Sequence, residues 1–480
     1  MTPQEVWESW QAMATSAGQE ITIGGTAQTG DTLEATEVVI TYKDELGGSA
    51  SVVFDKLTFA DNGDGTVTVT MPDSYPISLA FPSDAAEGPG SLKMTVTQPG
   101  MRIVAAGSAT ETSYDFSAPS VAVTLDEVKD ETGTVLDTKG SLTLSEVTSA
   151  YLVARSNDTT ALDMSFGSKS MAFDLSGTGP DDEGSGAFSL TMSDITGSTK
   201  GNLLGADLMA NMATALREGF TTDSSFSFGA MSVKADVTDS TGPFSLSGSA
   251  TGGGLVLAVN KDRMVYGTSL QGAKFTASGA DIPFPQVDLA VGEYALKFDM
   301  PVMKSDAPQD FAFLAKLVDF TVSEDIWGLI DPAASLSREP ASFILDLKGT
   351  GFWTQDIMDP EASMDGVEPP GELHSLDLTQ FLTKGAGAEV SATGGLKFDN
   401  SDLASFGGVP RPEGLITVNI KGVNKLIENL IALGVLTEDD AMGFRMGLAM
   451  FARPGAGPDE LTSEIEFKDG GLFANGQQLQ

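Results

Sequence analysis

The chain has 480 residues and a formal net charge of −40, from 67 acidic and 27 basic side chains. That surface repels a polyanionic duplex and anionic lipid headgroups, which excludes nucleic acid as a partner and disfavours an acidic membrane surface. With no cysteine, disulfides, thiol nucleophiles and thiolate metal sites are excluded together.

Met1 stands directly against Thr2-Pro3-Gln4-Glu5, a capping box with proline at the first helical position. A chain that begins inside a helix cap is expected to be a mature, exported protein that carries a start Met after removal of a signal peptide. Val6, Trp10, Met13 and Ala14 then recur at helical spacing, and Gly18 ends the pattern. With Trp7 and Trp10 this short helix is expected to pack against a sheet.

From there the period is two. "TVTVTM" sets Val67, Val69 and Met71 against Thr66, Thr68 and Thr70, and "FSLTMS" sets Phe188, Leu190 and Met192 against Ser189, Thr191 and Ser193. "EYALKFDM" aligns Tyr294, Leu296, Phe298 and Met300. "FILDL" aligns Phe343, Leu345 and Leu347, and "ITVNI" aligns Ile416, Val418 and Ile420. Such alternation predicts half-buried antiparallel strands, apolar on one face and wet on the other. Clusters of Gly, Asn, Asp and Ser between the strands supply the turns.

Helices interrupt the strands in few places. A helix is predicted over 203–218, with Leu204, Leu208, Met212 and Leu216 spaced by four, and a short one over 323–332 that stops at Asp331-Pro332. A helical hairpin follows near the end. "VNKLIENLIALG" buries Ile427, Leu430 and Ile431 and closes at Gly434. The second arm has Thr437 as N-cap, acids in its first turn and Pro454 as its stop. It carries a stripe of Met442, Met446 and Met450 and another of Phe444, Leu448 and Phe451, so it is expected to be buried or to face an apolar group. A β-hairpin turning at Asp469-Gly470-Gly471 closes the chain.

The predicted fold class is therefore mainly β with minor α: long curved antiparallel sheets and a few short helices, ending in a helical hairpin and a β-hairpin. The expected sections are 1–200 (helix plus β-rich half), 201–410 (second β-rich half) and 411–480. "LKMTVTQPGM" and "LVLAVNKDRM" share apolar offsets, as do "PSVAV" and "PQVDL" downstream. A duplication of two β-rich halves and chance similarity between alternating strands both account for this.

The sequence carries no complete catalytic or metal motif. In "ADNGDGTV", Asp61, Asn62 and Asp64 suggest calcium, but positions three, five and twelve of an EF-hand loop are Gly63, Gly65 and Pro72, so a hairpin turn is the simpler reading. "GPDDEGSG" reads as a solvated acidic loop. His374, the single histidine, lies in an alternating segment without a nucleophile elbow, and one histidine cannot build a His-rich zinc site. The four tryptophans read as packing residues. No catalytic, metal or cofactor-binding residue is predicted, and no segment approaches the roughly 20 apolar residues of a membrane span.

The C-terminal stretch "GLITVNIKGVNKLIENLIALGVLTEDDAMGFRMGLAMFARPGAGPDELTSEIEFKDGGLFANGQQL" resembles an uncharacterised Gram-negative family. "WGLIDPAASLSREPASFILDLKGTG" and "PGELHSLDLTQFLTKGAGAEVSATGGLKFDN" are similar to its preceding segments. The family is domain of unknown function twenty-one twenty-five, found chiefly in alphaproteobacteria. The resemblance is good from about Ile282 onward and loose before it. More distantly, the chain is similar to the YdgA-like and AsmA-like periplasmic proteins. The resemblance implies export, a periplasmic location and an elongated, curved antiparallel sheet, and it brings no catalytic residues.

The leading expectation is a non-enzymatic periplasmic envelope protein whose apolar sheet face is either covered by helices and a second layer or occupied by a lipid or other apolar ligand. In the latter case Met442, Met446 and Met450 form an adaptable lid. Two alternatives stay open: a carboxylate-dependent hydrolase acting on envelope polymers, and an acidic scaffold for a basic partner.

Overall fold

A computed structural model of the chain describes residues 1–44, 47–81, 90–108, 110–156, 159–179, 184–204, 206–359 and 370–479. Strands make up 64% of it and helices 12%, so the molecule is mainly β, with the strands paired antiparallel. It divides into two compact units, Met1–Gly205 with Asp223–Gly252 and Ala277–Pro285, and Ala206–Thr222 with Gly253–Thr276 and Gln286–Gln480.

In the first unit the opening helix runs over Pro3–Ser16, with Thr2 and Glu5 forming the expected capping box. Its Trp7 and Trp10 each lie 5.5 Å from the ring of Phe59. These rings, Val6, Leu33, Val38, Leu57, Val67 and Val69 form a core cluster with the helix on one side and strands on the other. From one edge the sheet runs Gln19–Thr22 and Gly25–Thr29, which share one side of Thr32–Lys43, then Thr32–Lys43, Ser49–Asp61, paired short strands, Glu111–Lys129, Thr138–Ser156, Thr159–Thr178, Ser185–Leu204, Met231–Asp239 and Gly242–Ala250.

The long strands alternate, but each slips phase once. Register puts Val123, Leu142, Phe173, Leu190 and Val233 in one cross-strand row. Val121, Leu144, Met171, Met192 and Met231 form the next. Beyond these the apolar positions change parity, from Val121 to Ala118, from Leu144 to Val147 and from Met192 to Ile195. At the slips sit Pro119, which needs no ladder partner there, and Glu146 and Asp194, whose φ angles are 46° and 50°. One inserted residue per strand keeps the same face apolar along the strand's whole length. Lys169 lies on this line of slips and pairs with Asp194.

The second unit is a sheet in the order Val287–Met300, Gln309–Val322, Ala341–Trp353, Gly371–Gly385, Ala388–Asp399, Arg411–Lys421 and Glu460–Lys468. The last strand is bordered by Arg453–Pro454 along one half and Gly471–Ala474 along the other. The closing hairpin thus covers an edge that would otherwise offer unpaired N–H and C=O groups, and Pro454 blunts the remainder. Its turn has φ of 53° at Asp469 and 74° at Gly470, the left-handed pair a two-residue hairpin requires.

The predicted helix over 203–218 is corrected. Leu203 and Leu204 pair with Thr160 and Thr159 at the end of a strand, and the helical part is split into Ala206–Met209 and Met212–Arg217. Asn211 starts the second piece by accepting the Thr214 N–H at 3.0 Å, a cap that a continuous helix could not make. The helices Glu324–Ile330, Val423–Ala432 and Glu438–Phe451 occur where expected, with Gly434 left-handed and Thr437 capping.

Four hairpin turns share one device, an Asp that accepts both the N–H and the hydroxyl of a Ser or Thr two residues on. The pairs are Asp64 with Thr66, Asp130 with Thr132, Asp239 with Thr241 and Asp399 with Ser401. The oxygens that suggested calcium at Asp61 and Asp64 are spent on their own turn, Asp61 accepting the Gly63 N–H at 2.8 Å. The hydroxyl bonds hold all four carboxyls below their usual range, and for Asp399 Ser401 and then Arg411 bring the value to about 2. Depressed folded-state values stabilise above the unfolded carboxyl pKa of about 3.9, and that stability is lost as pH falls through the folded values. Thermal melts are therefore expected to drop in midpoint from pH 5 to pH 2. Asp399→Asn should be the less stable protein at neutral pH, with the gap closing toward pH 2; a gap independent of pH would contradict this.

Candidate functional site

The apolar face of the second unit is built from successive rows. Tyr294, Leu317, Phe343, Val390 and Ile420 fall in one, and Phe298, Phe313, Leu347, Leu378 and Ile416 in another. These side chains are mostly half-buried, and Tyr294 and Phe343 are exposed.

At one end of the strands this face deepens into a pocket of about 370 Å³ between Met300, Phe311, Phe313, Trp353, Pro370 and Leu373. Its shape comes from pairing large residues with glycine. Phe311 lies opposite Gly349, where a Cβ would come within 2.5 Å of its ring, and Trp353 lies opposite Gly371, where a Cβ would come within 3.0 Å. Both rings can therefore lie down on the sheet. Tyr266 stacks on Phe298 at 5.2 Å, and Trp353 Nε1 donates to the carbonyl of Pro301 at 2.7 Å.

Asp299 and Glu372 are also among the lining residues, one position out of phase with Met300 and Leu373, so alternation turns their side chains toward the other face. There Asp299 accepts from Arg263 Nε at 2.6 Å, and Glu372 stands 3.6 Å from His374 Nε2. The His374 ring lies 5.5 Å from that of Phe352, and the register skips His374 between Ser375 and Leu373, so it occupies a bulge. This arrangement can shelter hydrocarbon.

A larger open trough of about 590 Å³ in the first unit is bounded by Leu125, Leu175 and Phe188, and also by Lys139, Asp174, Lys234 and Asp236. Lys234 is paired with Asp236 at 2.7 Å. The smaller pocket is the more enclosed and the more apolar, and it is the better candidate.

Met442, Met446 and Met450 are 62%, 65% and 59% exposed. None lines the pocket. Their helix leaves the sheet through the segment after Lys421, at the strand ends opposite Met300 and Trp353, and Ser463 and Asn475 hold its last carbonyl, that of Phe451. Of the two expectations for this helix, burial or an apolar partner, burial is not met: of its residues only Ala441 is buried. The acidic loop "GPDDEGSG" lies in part, at 180–183, outside the described residues. Among the described residues no cluster of three or more His, Asp or Glu side chains could hold a metal, and no helix is long and apolar enough to cross a membrane.

Phe298 and Met300 were on the predicted apolar face. Trp353, expected only to pack, lines the pocket; it continues the phase of Phe343, Leu345 and Leu347 through Gly349 and Gly351, and that continuation is the signal the sequence carries.

Comparison with protein families matches residues 237–479, just over half of the chain, to DUF2125, described as an uncharacterized protein conserved in bacteria. The match begins at residue 237, upstream of Ile282, the point from which the sequence resemblance is expected to be good. No curated protein and no solved structure matches the chain.

Proposed function

The chain belongs to DUF2125, a family of uncharacterized proteins conserved in bacteria, and on that premise we propose that it is a non-enzymatic envelope protein, working in the periplasm, that binds a lipid or another apolar ligand along the apolar face of its sheet. The observation that carries this reading is the aromatic pocket of the second unit, from which strand alternation turns the side chains of Asp299 and Glu372 toward Arg263 and His374. A preformed apolar concavity lowers the cost of holding a greasy ligand.

The test is native mass spectrometry of the protein purified from bacterial membranes-plus-periplasm extract, followed by organic extraction. A bound amphiphile of defined mass, released by solvent and rebound by the stripped protein, is expected. A stripped protein that takes up no lipid from mixed bacterial lipid vesicles would overturn the proposal.

A further inference from the structure

The pocket supports a narrower assignment, which rests on the reading above. We propose that it takes the end of a single hydrocarbon chain and does not recognise the head group that chain carries.

The polar inventory carries the argument. The indole N–H of Trp353 is already spent on Pro301. Asp299 and Glu372 sit one residue out of phase with Met300 and Leu373, and they meet Arg263 and His374 on the opposite face. A carboxylate, phosphate or ammonium pushed into the pocket would lose its water without a charged or hydrogen-bonding side chain to replace it, which disfavours its entry. A methylene chain loses nothing and gains the aromatic walls of Phe311, Phe313 and Trp353. The volume, about 370 Å³, lies near the bottom of the range for ligand sites, which runs from roughly 300 to 1,000 Å³. It suits a chain end and is too small for a complete two-chain lipid. The pocket opens onto the row of Phe313, Leu347 and Leu378, so the rest of the chain continues along the sheet and the head group stays in water.

The experiment uses the full chain with Trp7→Phe, Trp10→Phe and Trp327→Phe, which leaves Trp353 as its only tryptophan. Dibromostearic acid, whose bromines quench indole at contact, is expected to quench Trp353. Hexadecanoic acid, hexadecanol and hexadecyltrimethylammonium should relieve the quenching with affinities within about threefold of one another, in about 0.5 M salt to screen the chain's charge. The reciprocal variant, Trp353→Phe in the otherwise native chain, should lose the quenchable component, which keeps the test decisive if the triple variant folds poorly. Leu373→Phe, which fills the pocket, should weaken binding about tenfold. Uptake of the probe without quenching of Trp353 would overturn this inference and leave the general function standing, because the chain would then lie elsewhere on the sheet. A preference of more than about tenfold for one head group would overturn it too. Failure of every probe to bind would overturn both.

Discussion

Phe59→Ala is expected to lower the unfolding free energy by about 3–5 kcal/mol, the range for truncating a fully buried phenylalanine. Phe59 is 0% exposed. Its ring is the contact through which Trp7 and Trp10 attach the opening helix to the sheet. On either side its strand is paired, Phe59 with Leu33 on one neighbour and with Val69 on the other, and both partners belong to the same buried cluster. A ladder held from two sides cannot collapse into the space the ring leaves, so the cavity penalty should be near its full value. The helix should loosen first, because its other capping and i,i+4 interactions are individually weak. Urea unfolding followed by far-UV circular dichroism measures the loss, and tryptophan emission should shift to the red even before unfolding. Val53→Ala in the same strand is the control: Val53 is exposed, and its truncation should cost under about 1 kcal/mol. A cost for Phe59→Ala as small as that of the control would mean the helix is not anchored there.

The strands and the closing hairpin were legible because their signals are local. Alternation at Val67 and Val69 or at Ile416 and Val418 needs no partner to be read, and Asp469-Gly470 names its own turn. The phase slips were not legible. A slip at Glu146 or Asp194 breaks the count of two, and only the neighbouring strands reveal that the apolar face continues through it. The helix over 203–218 failed for a related reason. Leucines at 204, 208 and 216 fit a helix as well as a strand end followed by two helical turns, and the ladder to Thr159 and Thr160 decided between them. The pocket was legible by half. Phe298 and Met300 were on the predicted face, whereas Phe311 and Trp353 matter because of the glycines opposite them, and cross-strand pairing is information the linear sequence does not carry. The exposure of the helix Glu438–Phe451 reflects the same limit, since its apolar residues state a need for cover without saying whether the chain supplies it.

Arg338→Ala is expected to lower the thermal midpoint by roughly 10 °C, the effect of leaving a buried carboxylate without its partner. The sequence offers Asp331-Pro332 only as a helix stop. In the structure the Asp331 side chain is fully buried and accepts the N–H groups of Ser335 and Leu336, at 2.9 and 2.7 Å, and Arg338 Nη1 at 2.8 Å. Arg338 Nη2 returns to the Asp331 carbonyl at 2.9 Å, and the guanidinium lies 4.5 Å from the centre of the Trp327 ring. One arginine therefore ties the helix Glu324–Ile330 to the start of the strand Ala341–Trp353. Burial by itself would push the Asp331 carboxyl up, yet the two N–H groups and Arg338 outweigh it and hold the carboxyl below its ordinary value. In the native chain Asp331 thus stabilises above about pH 3.9, and that contribution is lost as pH falls through the lower folded value. Without Arg338 burial gains weight, the carboxyl moves up and the mutant tolerates protonation better. The gap in midpoint between the two proteins should be widest at neutral pH and narrow below about pH 4. Arg338→Lys keeps the charge but not the two-pronged geometry or the planar stacking, and should fall between them. Melting curves of the three proteins from pH 3 to pH 8 test this; a gap that stays constant across that range would mean the arginine acts by packing on Trp327 alone.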